Sequence, residues 1–174
     1  MRPKLNQIRA LGDFADNVHW YIQFTTIPSG VDLNSDDINL RCESVAIPKR
    51  DGTKVSVQVR GLPPVHQPGL YIPDGEFTVT LFETVNNKIS KGIQQLVEMN
   101  YTQGEGKAKT KADVEFGVRL VRMDREHNEI YEYTFMGVFL DKYEPGGELG
   151  SSGADVLKPT MTFSYDDFSE KALR

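Results

Sequence analysis

The chain has 174 residues, a formal net charge of −5 at pH 7, 39% hydrophobic residues and 26% charged residues. This length predicts one domain with a single core, the composition excludes a disordered tail, and the acidic balance argues against a protein that grips nucleic acid through its whole surface. One cysteine excludes a framework of intrachain disulfides, and we expect neither a membrane-spanning helix nor a signal peptide, because no apolar run is long enough.

The first half of the chain alternates apolar and polar residues in short runs, which is the pattern of half-buried β-strands. The predicted strands of this half cover 18–26, 38–47, 54–60 and 76–83. The apolar side of 38–47 is expected to hold Leu40, Cys42 and Ala46. The alternation is cleanest in 54–60 (KVSVQVR), where the residues expected to face the core are Val55, Val57 and Val59.

The segment 61–75 (GLPPVHQPGLYIPDG) contains four prolines. Because proline cannot donate a ladder hydrogen bond, the segment is predicted to be a long loop rather than a central strand. It also carries several large apolar residues, which a purely solvated loop does not need. Loops of this length inside a compact domain are usually functional or disordered.

The second half of the chain contains the one predicted helix. Apolar residues recur at helical spacing within 87–101, at Ile89, Ile93, Leu96 and Val97. The strands predicted in this half cover 113–120, 130–140 and 159–167, and a turn near 126–128 joins the first two into a hairpin. The segment 144–156 is rich in glycine and serine and is expected to be a flexible loop.

These elements predict the fold class. About seven strands and one helix, without a repeating strand–helix–strand rhythm, exclude a doubly wound parallel sheet. We expect a mainly β protein, an antiparallel β-sandwich or flattened barrel with one capping α-helix. No linker or internal repeat divides the chain, so 1–174 is taken as a single domain.

Residue types that carry catalysis or bind metals form no recognisable pattern. Cys42 lies on the apolar side of a predicted strand and is expected to be an inert thiol. His19, His66 and His127 lack the spacing of metal ligands. The run GEGK at 104–107 departs from the pattern of a phosphate-binding loop. We therefore expect no enzymatic activity, no metal and no cofactor.

Three blocks of sequence, in this order, carry a family resemblance. The first is 41–48 (RCESVAIP), and the second runs from Pro68-Gly69 to 77–82 (FTVTLF). The third is 133–143 (YTFMGVFLDKY), followed by 160–167 (TMTFSYDD). In this order and spacing the chain resembles the tail tube proteins of contractile-tailed bacteriophages of the T-even type.

The resemblance implies a fold and a function. The implied fold is a β-sandwich related to the Hcp protein of type VI secretion, in which six copies form a ring and their inner sheets join into one ring-shaped barrel. Stacked rings form a hollow conduit for DNA and the tape-measure protein during ejection. The implied protein is a structural virion component, the major tail tube subunit, assembled in the host bacterial cytoplasm. Its implied partners are further copies, the tail sheath, and baseplate and neck proteins, with DNA passing without specific binding and with no membrane anchor.

Half-polar strands supply candidates for the lumen of such a tube. A wall without a net positive field lets DNA slide, because it does not capture phosphates. The lumen candidates are Arg41, Glu43, Lys54, Gln58, Arg60, Asp113, Glu115, Arg119 and Glu132. Their charges cancel, so the sequence allows a non-adhesive lumen without predicting the acidic one that the resemblance implies.

Ring stacking requires apolar surface outside the monomer core. We expect 61–75 to be the stacking loop and 1–16 to be an N-terminal contact arm. The candidates for the inter-ring contact are Leu62, Val65, Leu70, Tyr71, Ile72, Leu5 and Ile8. Head-to-tail contacts between different patches generate an open stack, which is what a tube requires.

Three other functions stay open on the sequence. A tube initiator or terminator of the baseplate or neck shares the fold. An Hcp-like secretion tube is a second alternative. The third, a monomeric β-barrel that binds a small apolar ligand, predicts an internal cavity and a stable monomer.

Overall fold

The structure, a computed structural model, describes residues 10, 15–102, 105–147, 150 and 155–174. Its helices are α1 (Ser35–Arg41), α2 (Lys88–Asn100) and α3 (Lys111–Val114). Its strands are β1 (Trp20–Thr26), β2 (Cys42–Val45), β3 (Arg50–Val57), β4 (Val65–Pro73), β5 (Glu76–Leu81), β6 (Tyr101–Thr102), β7 (Lys107–Ala108), β8 (Phe116–Met123), β9 (Glu129–Glu144), β10 (Thr160–Ser164) and β11 (Asp167–Ala172). The protein is mainly β with antiparallel pairing, as predicted.

Two four-stranded layers share the long strand β9. Sheet I consists of β1, β8, the first part of β9 and β11, and sheet II consists of β2, β5, β10 and the last part of β9. The strand β9 bends at Gly137, whose φ of 69° lies in the left-handed region that favours glycine. Val138 is the last residue of β9 that pairs with sheet I, and Phe139 is the first that pairs with sheet II. The strand order β1-β8-β9-β10-β5-β2 has two ends, so the described part of one copy does not form a closed sheet.

The hydrophobic core lies between the two sheets. Phe77 of sheet II packs against Phe135 of sheet I, with ring centroids 4.4 Å apart. The inward positions that the alternation predicted in 76–83 and 159–167 are buried: Phe77, Val79, Leu81, Met161, Phe163 and Tyr165. A period of two therefore identified the core face of β5 and β10 correctly. Around β2 it did not, because Ala46, expected on the apolar side, is exposed and Val45 packs against the core instead.

Helix α2 adds its apolar stripe to the same core, as the helical spacing predicted. Its first turn is held by the carboxylate of Glu83, which accepts hydrogen bonds from the Ser90 backbone N–H at 2.7 Å and the Ser90 hydroxyl at 2.6 Å. Burial raises the pKa of Glu83, but the hydrogen bonds from Ser90 and Thr84 outweigh it, so the net pKa lies below its usual value. A charged carboxylate thus satisfies N–H groups that the first turn leaves free.

The prediction of a strand over 38–47 is wrong for the first half of that range, which is helical. Asn34 caps a helix there, because its side chain accepts a hydrogen bond from the Asp37 backbone N–H at 2.7 Å. The helix α1 runs to Arg41, and Leu40, expected on the apolar side, is 83% exposed. The cap at Asn34 and the acidic first turn decide against the strand that the alternation suggested.

The strand predicted over 54–60 and the loop predicted over 61–75 form a two-stranded hairpin instead, β3–β4, which we call the arm. Pro68 lies opposite Lys54 in this ribbon and is tolerated because each of its strands has a free edge. The arm pairs with neither sheet. Consequently three valines expected in the core are between 49% and 52% exposed: Val55, Val57 and Val59.

Two further predictions are corrected. The short helix α3 replaces the start of the strand expected over 113–120, because Thr110 and Asp113 form a capping box there. The single strand expected over 159–167 ends at Ser164, and a separate strand, β11, follows. The described residues therefore contain three helices where one was predicted. None of them is both long and apolar enough to cross a membrane.

Candidate assembly site

Sheet II ends in two strands that have a strand partner on one side only within the described ranges. The strand β2 pairs with β5, and residues 139–144 of β9 pair with β10. Unpaired N–H and C=O groups along such edges are templates for pairing with another chain. Because neighbouring strands of sheet II are antiparallel, its two edge strands run in opposite directions.

The edges of sheet I are occupied differently. Helix α1 lies along the outer edge of β1, where the Ile22 N–H donates to Asn39 Oδ1 at 3.2 Å and the Phe24 N–H donates to Ser35 Oγ at 2.9 Å. At the other edge, the guanidinium of Arg50 at the base of the arm donates to the backbone carbonyl of Phe168 in β11. Side chains therefore use backbone groups that a further strand would need.

The outward face of sheet II is lined by small hydroxyl side chains. Register pairing places these on one face: Ser44, Thr78, Thr80, Thr160, Thr162 and Ser164. Two of them, Thr78 and Thr162, join across the strands with their oxygens 3.3 Å apart. Lys142 lies 3.5 Å from Glu76 at the margin of the same face. Glu144 lies opposite Thr160 on this face and has no ion-pair partner among the described residues, so the face is polar with a net negative charge from Lys142, Glu76 and Glu144.

The outward face of sheet I carries a compact charged network above buried Val121. Arg119 donates to Glu129 and to Glu132, each at 2.9 Å, and to the hydroxyl of Tyr21 at 3.2 Å. The hydrogen bond from Arg119 lowers the pKa of Glu132, and the same bond raises the pKa of Arg119. Arg119 offsets one of the two carboxylate charges, so these three residues leave the face with one net negative charge.

The structure brings only some of the lumen candidates together. Arg119 and Glu132 meet on sheet I, whereas Glu43 lies on the open edge strand β2, 2.6 Å from Lys158. The other six are dispersed over the arm, α1 and the region of α3: Lys54, Gln58, Arg60, Arg41, Asp113 and Glu115.

Local contacts explain why two of these candidates lie off the strands. Arg41 ends α1 and donates to Thr84 Oγ1 at 2.7 Å. Asp113 is engaged in the capping box, and hydrogen bonds from Thr110 lower its pKa. Their strand placement in the sequence prediction is therefore wrong, because both residues terminate or cap a helix.

The arm presents an apolar face that nothing in the described residues covers. Opposite residues of a ribbon share a face, so Val57 and Val65 lie on the same side as Ile72, which opposes Asp51. A bulge is held in the arm by Thr53, whose hydroxyl accepts from the Leu70 N–H at 2.9 Å and donates to the Leu70 carbonyl at 3.0 Å. The described contact candidates are all exposed: Leu62, Val65, Leu70, Tyr71 and Ile72. Leu5 and Ile8 lie outside the described residues.

A cavity of about 550 Å³, which sequence reasoning missed, opens beside the free edge of β2. Its walls combine Trp20, Leu120 and Arg122 of sheet I with Val45 of β2 and Ile47 just beyond it. These residues belong to separate segments of the chain, and only the packing of the two sheets brings them together.

Among the described residues, no group of three or more His, Cys, Asp or Glu side chains is arranged to bind a metal ion, at this cavity or elsewhere. At its mouth, hydrogen bonds from His19 and from the Val18 backbone lower the pKa of Asp16 to about 2. Burial raises the pKa of nearby Cys42 to about 12, which keeps it a thiol at neutral pH, as expected for an inert cysteine.

Comparison with known proteins yields similarity of fold without similarity of sequence. No protein-family model matches the chain, and no curated protein sequence does so either. A chain of an extracellular contractile injection system, from a PVC sheath–tube complex in the extended state, superposes with a TM-score of 0.65 at 8% identity, covering 99% of this chain and 100% of that one.

Two further solved structures have the same fold. A chain of the PVC sheath/tube terminator matches with a TM-score of 0.64 at 7% identity, over 93% of this chain and 99% of that one. A chain of the six-fold symmetrised baseplate of the anti-feeding prophage matches with a TM-score of 0.59 at 10% identity, over 94% and 99%. The protein therefore shares its fold with chains of the sheath–tube, terminator and baseplate assemblies of contractile injection systems.

Proposed function

We propose that the protein is a structural, non-enzymatic subunit of the tube of a contractile tail or injection machine, and more specifically the major tail tube subunit of a virion. One observation carries the proposal: among the described residues sheet II has two edge strands without an outer partner, while α1 covers an edge of sheet I. The match over the whole length of a chain from a sheath–tube complex supports it.

Ring closure follows from the open edges of sheet II. In the ring, β2 of one copy pairs with residues 139–144 of the next copy. This pairing is antiparallel, because the four strands of sheet II alternate in direction and the alternation continues from copy to copy. A closed ring removes every free edge of this sheet, which is a route by which β-proteins avoid uncontrolled pairing. Six copies is the ring size we propose, in keeping with the six-fold symmetry named for the similar baseplate.

The lumen is then lined by the outward face of sheet II. Hydroxyl groups, the Lys142–Glu76 pair and Glu144 give this wall no positive field, so DNA or a tape-measure protein passes without being captured. Since the two sheets lie back to back, Arg119 and Glu132 of sheet I face the outside of the ring, where the sheath binds. Of the predicted lumen charges, this arrangement retains Glu43, at the seam between copies.

Stacking of rings is assigned to the arm. Its apolar face is exposed in the single copy, and covering it against an adjacent ring removes this surface from water. Contact between the arm and a different patch of the next copy is head-to-tail, which yields an open tube of indefinite length. Baseplate and neck proteins cap the two ends, and the finished tube belongs to a virion tail assembled in the host cytoplasm.

The test is the assembly state of the purified protein. Light scattering after size exclusion and negative-stain electron microscopy are expected to show six-membered rings and hollow tubes, with length increasing with protein concentration. A homogeneous monomer at the highest attainable concentration would overturn the proposal and favour the monomeric ligand-binding barrel instead. Tubes made of rings with another copy number would overturn the hexamer alone.

A tube terminator is the second candidate, since the chain from the sheath/tube terminator matches almost as well as the chain from the sheath–tube complex. A terminator forms one ring and stops, whereas a major subunit polymerises. Rings that never stack, even when seeded with tube fragments, would therefore identify a terminator. Growth from both ends of a seed would identify the major subunit, or a secretion tube of the Hcp type.

A further inference from the structure

The cavity beside β2 lies where a neighbouring copy would add its strand. Its rim is formed by Glu43, Ser44 and Val45, which are the residues of the open edge itself. Its far wall is Trp20 and Leu120, on the inward face of sheet I. A strand added to β2 would continue sheet II, and its inward side chains would point into the cavity, because side chains of adjacent paired strands share a face.

The opposite edge of the same sheet carries one suitable aromatic side chain. Tyr143 lies directly opposite Met161 in the register of β9 and β10, and Met161 is buried in the core. Tyr143 is therefore on the inward face of sheet II, yet it is 46% exposed because it stands at the open edge. In the ring, this edge is the one that meets β2 of the next copy.

The cavity also holds a polar group that matches a phenol. Arg122 lines it, stacks 5.2 Å above the ring of Tyr131, and keeps its Nε–H buried without a hydrogen-bond partner among the described residues. Buried donors are nearly always satisfied, so an acceptor is expected from beyond the described residues, reached by a rotation of the half-buried Arg122 side chain. A tyrosine hydroxyl of the next copy provides that acceptor while its ring fills the apolar part of the cavity.

We propose that Tyr143 of one copy inserts into the cavity between Trp20 and Val45 of the next copy and accepts a hydrogen bond from Arg122. This inference rests on the proposed ring. The contact is an anchor in a pocket at the centre of the edge contact, the arrangement that concentrates binding energy in few residues. The contact also sets the register of the two edge strands, because only one alignment of these strands places Tyr143 at the cavity.

Two measurements on the full-length protein test the contact. The photoreactive amino acid p-benzoylphenylalanine replaces Tyr143, and rings formed from equal amounts of ¹⁴N- and ¹⁵N-labelled protein are irradiated and analysed by mass spectrometry. Cross-links between differently labelled copies are expected on 15–20, 43–47 or 120–122. Trp20 is the only tryptophan, so a blue shift of its emission is expected when subunits assemble.

Variants separate the ring contact from general destabilisation. Tyr143→Ser is expected to raise the protein concentration needed for ring formation by about tenfold or more, with unchanged thermal unfolding of the single copy. Tyr143→Phe should retain most of the affinity, because it keeps the ring and loses one hydrogen bond. Tyr101→Ser is the matched control, since Tyr101 is 51% exposed and lies away from both edges of sheet II.

The possible results distinguish this inference from the proposed function. Rings that form normally but give cross-links elsewhere, or that tolerate Tyr143→Ser as well as Tyr101→Ser, would overturn the contact and leave the tube intact. If deletion of residues 1–14 shifts Trp20 emission to the red in the unassembled protein, the chain's own N-terminal segment fills the cavity and the contact is overturned. A wild-type protein that forms no ring would overturn both.

Discussion

Arg50 lies over the ring of Phe168, with its guanidinium carbon 4.5 Å from the ring centroid, and this contact joins the arm to the body of the protein. The same guanidinium lies 2.9 Å from the carboxylate of Asp167 and donates to the Phe168 carbonyl. One side chain therefore combines an ion pair, a backbone hydrogen bond and a cation–π contact at the point where the arm leaves the two sheets.

The first prediction concerns this anchor. Arg50→Ala is expected to loosen the arm while the core stays folded, with a loss of roughly 1 kcal/mol in the free energy of unfolding, because the contacts are partly exposed. Hydrogen exchange measured by mass spectrometry should become faster in β3 and β4 and stay unchanged in β5. Lys49→Ala is the control, since Lys49 is more exposed and only approaches Asp51 at 3.8 Å. Equal exchange in both variants would contradict the anchor.

The second prediction concerns the apolar surface of the arm. Replacing Leu70, Tyr71 and Ile72 by serine should leave thermal unfolding nearly unchanged, because all three are exposed, and should stop tubes at single rings. Electron microscopy of the polymer measures this. As the control, Val85→Ser changes a side chain that is 100% exposed outside the arm. Tubes of normal length from the triple variant would remove the arm from the stacking contact.

The third prediction concerns the bend in β9. Gly137→Ala is expected to destabilise the protein by about 1 to 2 kcal/mol, because the backbone has a positive φ and the new Cβ, 2.1 Å from Asp166 Oδ2, would displace that exposed side chain from its ion pair with Lys111. Gly30→Ala isolates the backbone contribution, since φ at Gly30 is 97° and nothing lies within 4 Å of its added Cβ. Urea unfolding of both variants measures the difference, and equal losses would show that the crowding at Asp166 costs nothing.

The fourth prediction concerns acid stability. The folded-state pKa of Glu83 is lowered, so its contribution is fully present above the unfolded-state pKa and is lost as the pH falls through the lowered value, below the usual 4.3 or so. Glu83→Gln should therefore cost about 1 kcal/mol at pH 7, where the charged hydrogen bonds to Ser90 are lost. The gap between variant and wild type should narrow on acidification. Glu98→Gln, an exposed change on the same helix, should show no such dependence in urea unfolding at pH 7 and pH 3.

Local sequence patterns predicted those features of the fold that are set within a single segment of the chain, namely its type of secondary structure and the side that it buries in the core. The alternation in 76–83 gave the buried face of β5, and the helical spacing gave α2 within one residue at each end. The same alternation failed in 54–60, because a period of two reports that a strand has an apolar side and not what covers that side. It failed in 38–47 because a capped helix start at Asn34 outweighed the pattern.

The candidate site was less predictable than the fold. The exposed residues of the arm, such as Leu70 and Tyr71, were identified because apolar residues between prolines are unusual in a solvated loop. Most lumen candidates were chosen by strand parity alone, and parity cannot tell sheet I from sheet II. Arg119 and Thr162 both lie on outward faces, yet these faces point in opposite directions.

By itself the sequence determined the antiparallel β character, the inward residues of the central strands, the amphipathic helix and an apolar segment in need of a partner. Each of these features follows from the spacing of apolar and polar residues that are neighbours in the chain. Only the tertiary structure decided which edges stay open, which face each sheet turns outward, and that Trp20, Val45 and Arg122 enclose one cavity. Those features arise from pairings between residues that lie far apart in the chain, and no local period encodes such pairings.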